Sequence, residues 1–254
     1  MFSDLGPEEI QQLKAIFLLL IPATFYGMGL MEGRWARRSF VAGIVTHALS
    51  IIYRAAILKS LPLAEKFDNI SFMAFATALV YWHYSRKKDL REITIVFFPM
   101  IAVLLLSATL FTPINTMSPF MKTPWFYLHT LLFFLSYGFF GVSACIGIAY
   151  VLNADIEYEA LQYRAASIGW TIYTMALVAG SIWFFIAYGM YWLWTSRELF
   201  TTLTWFYFGL YLHQRYIKGL SGRSAAIVGI IGYLVALFAY FGVGTILPAP
   251  PVQF

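Results

Sequence analysis

The residues of this chain best suited to chemistry are its four histidines, His47, His83, His129 and His213. A neutral imidazole is a ready metal ligand, and an ionisable residue inside an apolar helix is a candidate functional group. His47 sits within one apolar stretch, about 12 Å from its nearer end, and His213 about 6 Å inside Ile217, at ~1.5 Å per helical residue. His129 opens another stretch just after Pro124 and Trp125. His83, in Tyr-Trp-His-Tyr ahead of Ser85-Arg86-Lys87-Lys88, reads as an interface residue. Each of the others has a plain structural alternative: His47 as a hydrogen-bonded packing residue, His129 as an interface residue, and His213 as a side chain snorkelling beside Arg215. A second constellation is aromatic. Trp183, Tyr188, Tyr191, Trp192, Trp194 and Trp205 cluster around one loop and could stack on a large planar ligand. Taken alone, these rings read as the aromatic belt common at membrane interfaces. Arg54 is a cation within a helix: it snorkels to the surface, or its planar fork holds a carboxylate, that of Asp68 or of a ligand.

Other chemistries find no support. The single cysteine, Cys145, lies in an apolar run, so there is neither a disulfide framework nor a C-x-x-C or C-x-x-C-H motif. No phosphate-binding loop, H-E-x-x-H zinc motif or nucleophile elbow occurs. The net charge of +5 comes from short basic loops with a membrane explanation, so nucleic acid is not expected as a partner.

The elements that position these residues follow from composition. With 61% hydrophobic and 11% charged residues and a mean hydropathy of +0.73, the chain holds more apolar surface than one water-soluble core buries. Apolar stretches of roughly 20 residues, each enough to cross ~30 Å of hydrocarbon as a helix, recur near 12–31, 39–58, 69–85, 93–112, 125–152, 165–189, 198–217 and 224–247. Stretches such as Ile93–Leu110 are apolar on every face, which excludes the alternating pattern of a membrane β-barrel. The expected fold is therefore an all-α integral membrane protein, a bundle of about eight transmembrane helices forming one polytopic domain over 1–254. The acidic start, with Asp4, Glu8 and Glu9, is unlike a signal peptide, so the first span is expected to remain as an anchor. Gly138–Gly141 and Gly229–Gly232 are expected at close helix contacts.

Orientation follows from the loops. Arg34, Arg37, Arg38, Arg86, Lys87, Lys88, Arg91, Arg164, Arg215, Lys218 and Arg223 fall on one side. The other side holds Lys14, Arg54, Lys59, Lys66, Lys122 and Arg197. The richer side faces the cytoplasm, which puts both termini and the loop near 190–197 outside. Asp155, Glu157 and Glu159 then lie inside, acceptable because acidic residues contribute little to this rule.

The stretch from Gly180 to Arg215, GSIWFFIAYGMYWLWTSRELFTTLTWFYFGLYLHQR, resembles without gaps the tryptophan-rich WWD signature of the CcsA/CcmC/CcmF family of haem-handling cytochrome c assembly proteins. That pattern runs approximately G-x-x-W-A-N-x-x-W-G-x-x-W-x-W-D-P-K-E, then a Trp, then Y-L-H-x-R. Gly180, Trp183, Gly189, Trp192, Trp194, Arg197, Glu198, Trp205, Tyr211, Leu212, His213 and Arg215 match it. The Y-L-H-x-R ending and eight spans point to the CcsA branch, HemX-like members included, and weaker similarity covers 47–54, 61–63 and 125–137. Departures are also present. Phe185 and Ile186 stand where the family has Asn and often Glu, Thr195-Ser196 where it has Asp-Pro, and Ser60 where some relatives have His; Gly242–Phe254 holds no His where the family has its last outer ligand.

The resemblance implies a haem-binding protein that presents haem, of the b type while bound, at the outer face for attachment to apocytochrome c. His47 and His213 would hold iron toward the inner side and His129 toward the outer. Trp183, Trp192, Trp194 and Trp205 would form the stacking surface, and Arg54 would meet a propionate. Implied partners are the bilayer, haem, apocytochrome c and a membrane protein with a periplasmic domain. The implied location is a bacterial plasma membrane rather than a thylakoid. Two alternatives stand beside it: a diverged structural or electron-transfer subunit of a respiratory membrane complex, and a HemX-like regulator of haem synthesis.

Overall fold

In the computed structural model, residues 6–31, 34–86, 91–111, 118–153, 156–217 and 219–243 are described. Among them the α-helices run in the order α1 (Pro7–Met28), α2 (Arg34–Leu58), α3 (Lys66–Ser85), α4 (Arg91–Ala108), α5 (Pro124–Asn153), α6 (Ile156–Tyr188), α7 (Ser196–Ile217) and α8 (Gly222–Phe241), with a short 3₁₀ turn at Pro119–Met121 ahead of α5. Eight helices thus stand on the eight apolar stretches. Five of them, α1, α2, α5, α6 and α8, are long and apolar enough to cross a membrane, and α4 is a shorter apolar helix. α3 and α7 are diluted by polar residues such as Asp68, Asn69, Gln214 and Arg215.

Bounds shift where side chains find partners. The sixth span was expected from 165, but α6 begins at Ile156, because Glu159 is buried in an ion pair instead of solvated in a loop. At 30 and 33 residues, α5 and α6 run ~45–50 Å, longer than a ~30 Å hydrocarbon core, so they tilt or project beyond it. α8 ends at Phe241, and 244–247 of the expected last span lie outside the described residues. The prolines within α1 and α4, Pro22 and Pro99, are of the kind membrane helices tolerate when neighbours satisfy the freed backbone.

The chain divides into two compact units, Met1–Lys122 and Thr123–Phe254. In the first, α1 packs on α2 and α4, and α3 on α2 and α4. The α1–α2 contact is close because Gly43 lets Tyr26 approach, where a Cβ would stand 2.6 Å from its ring. The core there is aromatic: Tyr81 stacks on Phe97 at 3.9 Å, and Phe40 meets Tyr26, Tyr81, Phe97 and Phe98 edge-on or tilted. Such pairs contribute ~0.5–1.5 kcal/mol beyond their area.

In the second unit α5 is the central helix, packed on α6 and α8, with α7 against both of those. Phe140 stacks on Phe208 at 3.7 Å. Buried hydroxyls find main-chain acceptors: Tyr137 Oη donates to the Ala236 carbonyl at 2.9 Å, and Tyr173 Oη to that of Thr201 at 3.1 Å. Gly229 and Gly232 are close-contact glycines as expected, receiving Gln162 and Tyr211, and Phe208 and Tyr207, respectively.

Candidate functional site

His129 lies in the second turn of α5 and faces the last third of α6. Its Nδ1–H donates to the Ala176 carbonyl at 2.8 Å. A carbonyl can only accept, so the proton is assigned to Nδ1 and the lone pair of a neutral ring to Nε2. This is the arrangement by which an outer hydrogen bond orients a ligating imidazole. No hydrogen bond among the described residues engages Nε2. Trp183 lies nearly parallel to the imidazole, 12° between planes and 6.3 Å between centroids, and Phe133 borders it at 5.5 Å. Gly180, one turn before Trp183, gives the ring its room: a Cβ there would stand 2.5 Å from Nδ1. The first glycine of the tryptophan-rich signature is therefore a packing requirement of the histidine. Phe126, Phe184 and Tyr188 extend the cluster around Trp183.

The other signature tryptophans have ring partners of their own. Trp192 and Trp194 form an edge-on pair at 6.1 Å in the loop between α6 and α7, where Trp194 is 67% exposed. Trp205 lies nine residues into α7, ~14 Å along it, stacked on Trp170 at 5.4 Å. Its Nε1–H donates to Thr174 Oγ1 at 2.8 Å, and its carbonyl accepts from Trp170 Nε1 at 3.0 Å. Trp205 thus serves the α6–α7 contact, not the loop cluster in which its sequence neighbours placed it. Trp170, Thr174 and Ala176 carried no sequence signal beyond their place in an apolar helix.

The loop itself is held by Glu198. Its Oε2 accepts from the Leu193 and Thr195 N–H groups, both at 3.0 Å. The Thr195 carbonyl accepts the first α7 bond from Leu199 at 2.9 Å, which places Thr195 at the N-cap position, and the Glu198 carboxylate reaches back to its N–H. Two residues take left-handed backbone, Gly189 at φ 74° and Trp194 at φ 57°. Left-handed backbone is uncommon for a tryptophan, and the Glu198 clamp on both its neighbours maintains it. Among the described residues the Thr195 hydroxyl makes no hydrogen bond, so the start of α7 is held through Glu198.

His213 is exposed near the end of α7, and no described residue hydrogen-bonds its ring. The flanking residues of Y-L-H-x-R are structural: Arg215 pairs with Glu159 at 3.3 Å, lies over Tyr163, and donates to Tyr211 Oη at 3.4 Å. Glu159 also accepts from the Gly222 N–H at 2.8 Å, closing the start of α8 onto α6.

In the first unit, His47 is fully buried with both ring nitrogens engaged, Nδ1 with Tyr26 Oη at 3.2 Å and Nε2 with Ser71 Oγ at 3.0 Å. Phe75 meets the ring edge-on at 5.3 Å. Iron ligation at His47 would require breaking one of these bonds, so the donor set does not fit haem as arranged. Arg54 is 3% exposed and does not snorkel. Nε and Nη2 grip Asp68 Oδ1 and Oδ2 at 2.9 and 2.8 Å, joining α2 to α3. Burial favours this outcome because Asp68 supplies the countercharge within one helix of distance. His83 is exposed, as an interface residue would be.

Fold and site define a polytopic all-α membrane protein carrying a tryptophan-rich helix–loop–helix beside a membrane histidine. Residues 63–248 match the model of the cytochrome c assembly protein family, and the chain belongs to that family. It is similar to the cytochrome c biogenesis protein CcsA of Chlamydomonas reinhardtii, 26% identical over 206 residues, covering 73% of this chain and 58% of that one. It is also similar to CcsA of Mesostigma viride, 24% identical over 224 residues, covering 72% and 73%. Among solved structures, the cytochrome c haem lyase CcmF shares the fold at a TM-score of 0.71 and 16% identity, over 94% of this chain and 48% of that one. The chain therefore spans a little over half of the first relative and about half of the haem lyase. His129, the four signature tryptophans and His213 fall within the family match; His47 and Arg54 precede it.

Proposed function

We propose that this chain is a CcsA-like haem-binding membrane protein of cytochrome c biogenesis, presenting haem at the outer face of a bacterial plasma membrane. The observation that carries this reading is His129, whose Nδ1–H is fixed by Ala176 and whose Nε2 is left to ligate beside the parallel ring of Trp183. In this reading His129 is the outer axial ligand, and Trp183, with Trp192 and Trp194 in the loop, supplies stacking. Glu198 holds the loop in shape. Haem, b-type while bound, supplies the vinyl groups that apocytochrome c cysteines attack. His213, unengaged on α7, is retained as an inner ligand candidate. Trp205 is assigned to helix packing, and His47 and Arg54 to the hydrogen-bonded and ion-paired interior of the first unit. The loop charges support one polytopic domain over 1–254 with both termini outside. The partners in this reading are apocytochrome c and a membrane protein with a periplasmic domain.

The test is spectroscopic. In a His213→Ala background, which removes the inner candidate, detergent-purified protein should carry a Soret band that is lost on adding His129→Ala or Gly180→Leu and kept on adding His47→Phe; colour that survives both His129→Ala and Gly180→Leu there would overturn the assignment. One observation favours a second reading, a member that no longer transfers haem and serves a respiratory complex. Phe185 and Ile186, where the signature is polar, are exposed and apolar, and Phe185 stacks on Tyr191 at 4.4 Å. Maturation of a reporter cytochrome c in a host lacking its own system separates the two.

A further inference from the structure

The first unit holds a groove that the haem reading does not use. α1 and α2 are pinched together where Gly43 meets Tyr26 and Phe25, and toward the N-terminal end of α1 they part over a groove of about 590 Å³. That volume lies within the ~300–1,000 Å³ of small-molecule sites. Its walls are Lys14, Phe17, Leu18 and Ile21 of α1 and Thr46, Leu49, Ser50 and Tyr53 of α2. Both helices are long and apolar enough to cross a membrane, which puts the groove between them at bilayer depth.

Its polar groups are graded by depth. Lys14 and Tyr53 stand at one rim. Among the described residues Lys14 makes no ion pair, and neither Tyr53 Oη nor Ser50 Oγ makes a hydrogen bond. Ser50 lies one turn further in and is 4% exposed. Beyond it, at Ile21 and Thr46, the lining offers no free polar group, because Thr46 Oγ1 bonds back to the Ala42 and Gly43 carbonyls. From Lys14 to Ile21 is ~10 Å along the helix, within one leaflet of a ~30 Å core.

We propose that this groove is a binding site for one anionic glycerophospholipid, with its phosphate on Lys14 and Tyr53, an ester carbonyl on Ser50 and an acyl chain between α1 and α2. The order cation, hydroxyl, apolar slot is the order of phosphate, ester and chain along such a lipid. A neutral amphiphile would leave Lys14 without its countercharge. The site shares no residue with the His129 cluster and does not depend on the haem reading.

Native mass spectrometry of the full chain in mild detergent tests this, with phosphatidylglycerol and phosphatidylcholine as probes. Wild type should retain a single phosphatidylglycerol, favoured about fivefold over phosphatidylcholine, the factor one cation near an anionic headgroup provides. Lys14→Ala, on an exposed side chain, should reduce that preference to near unity, with phosphatidylglycerol retention falling further than that of phosphatidylcholine, whose choline already offsets its phosphate. Ser50→Phe, which fills the slot, should lose both lipids, with folding checked by gel-filtration elution and circular dichroism. An unchanged preference in Lys14→Ala overturns the proposal, as does retention of an isoprenoid quinone in place of phospholipid. If Ser50→Phe misfolds, quenching of a Leu18→Trp reporter by phosphatidylglycerol brominated along its acyl chain replaces it; quenching no stronger than by brominated phosphatidylcholine overturns the proposal too.

Discussion

His129 and His47 show how little a residue's identity says about its use. Both are histidines on apolar helices, yet one keeps a ring nitrogen unengaged and the other has both occupied. The difference lies in the facing helix: α6 offers His129 a carbonyl, whereas α1 and α3 offer His47 two hydroxyls. Arg54 and Asp68 make a comparable contrast with the surface cations, and their burial sets a stability prediction. Arg54→Ala should destabilise the protein by about 3–5 kcal/mol, because it strands a buried carboxylate, whereas joint replacement by Met and Leu should recover most of that. Thermal unfolding in detergent, followed by circular dichroism, measures both. A single substitution no worse than the pair would show that the ion pair contributes nothing to the α2–α3 contact. At this scale the sequence picked out the ionisable residues on apolar helices, and spacing could not say which of them were already satisfied.

The α6–α7 helix–loop–helix is the element on which the tryptophan-rich signature acts. Its sequence was legible to the residue, since Gly180, Trp183, Trp192, Trp194 and Glu198 all matched the family pattern. Its division of labour was not: Gly180 clears a ring, Glu198 clamps a loop, and Trp205 packs a helix pair. Glu198→Ala should release two loop N–H groups and cost ~1–3 kcal/mol locally. Hydrogen exchange should then quicken at 190–196, with α7 beyond its first turn unaffected. Thr195→Val should leave exchange unchanged, because among the described residues the Thr195 hydroxyl makes no hydrogen bond and Glu198 accepts from the backbone N–H. Wild-type protection in Glu198→Ala would remove the Glu198 clamp from the account. Glu159 plays the corresponding part at the other end of α7. Its replacement by Gln should loosen the α7–α8 connection, read as faster trypsin cleavage at Arg223.

Orientation belongs to the whole molecule and rests on loop cations. A cysteine at Ser118 should react with an impermeant maleimide added from outside, and one at Ser221 should not. Both serines are exposed, and the native Cys145 is buried and should stay silent. The reverse pattern would invert the topology. The sequence by itself determined the class of protein, the eight helical stretches and the family, because hydropathy integrated over ~20 residues and a gapless motif are properties of the chain taken in order. Only the tertiary structure decided that α6 starts nine residues early, that Arg54 is buried, that Trp205 leaves the loop cluster, and that His129 keeps a nitrogen unengaged. Each of these depends on the partner a side chain meets across a helix contact. Such contacts join residues such as His129 and Ala176, or Glu159 and Arg215, that no window along the sequence brings together.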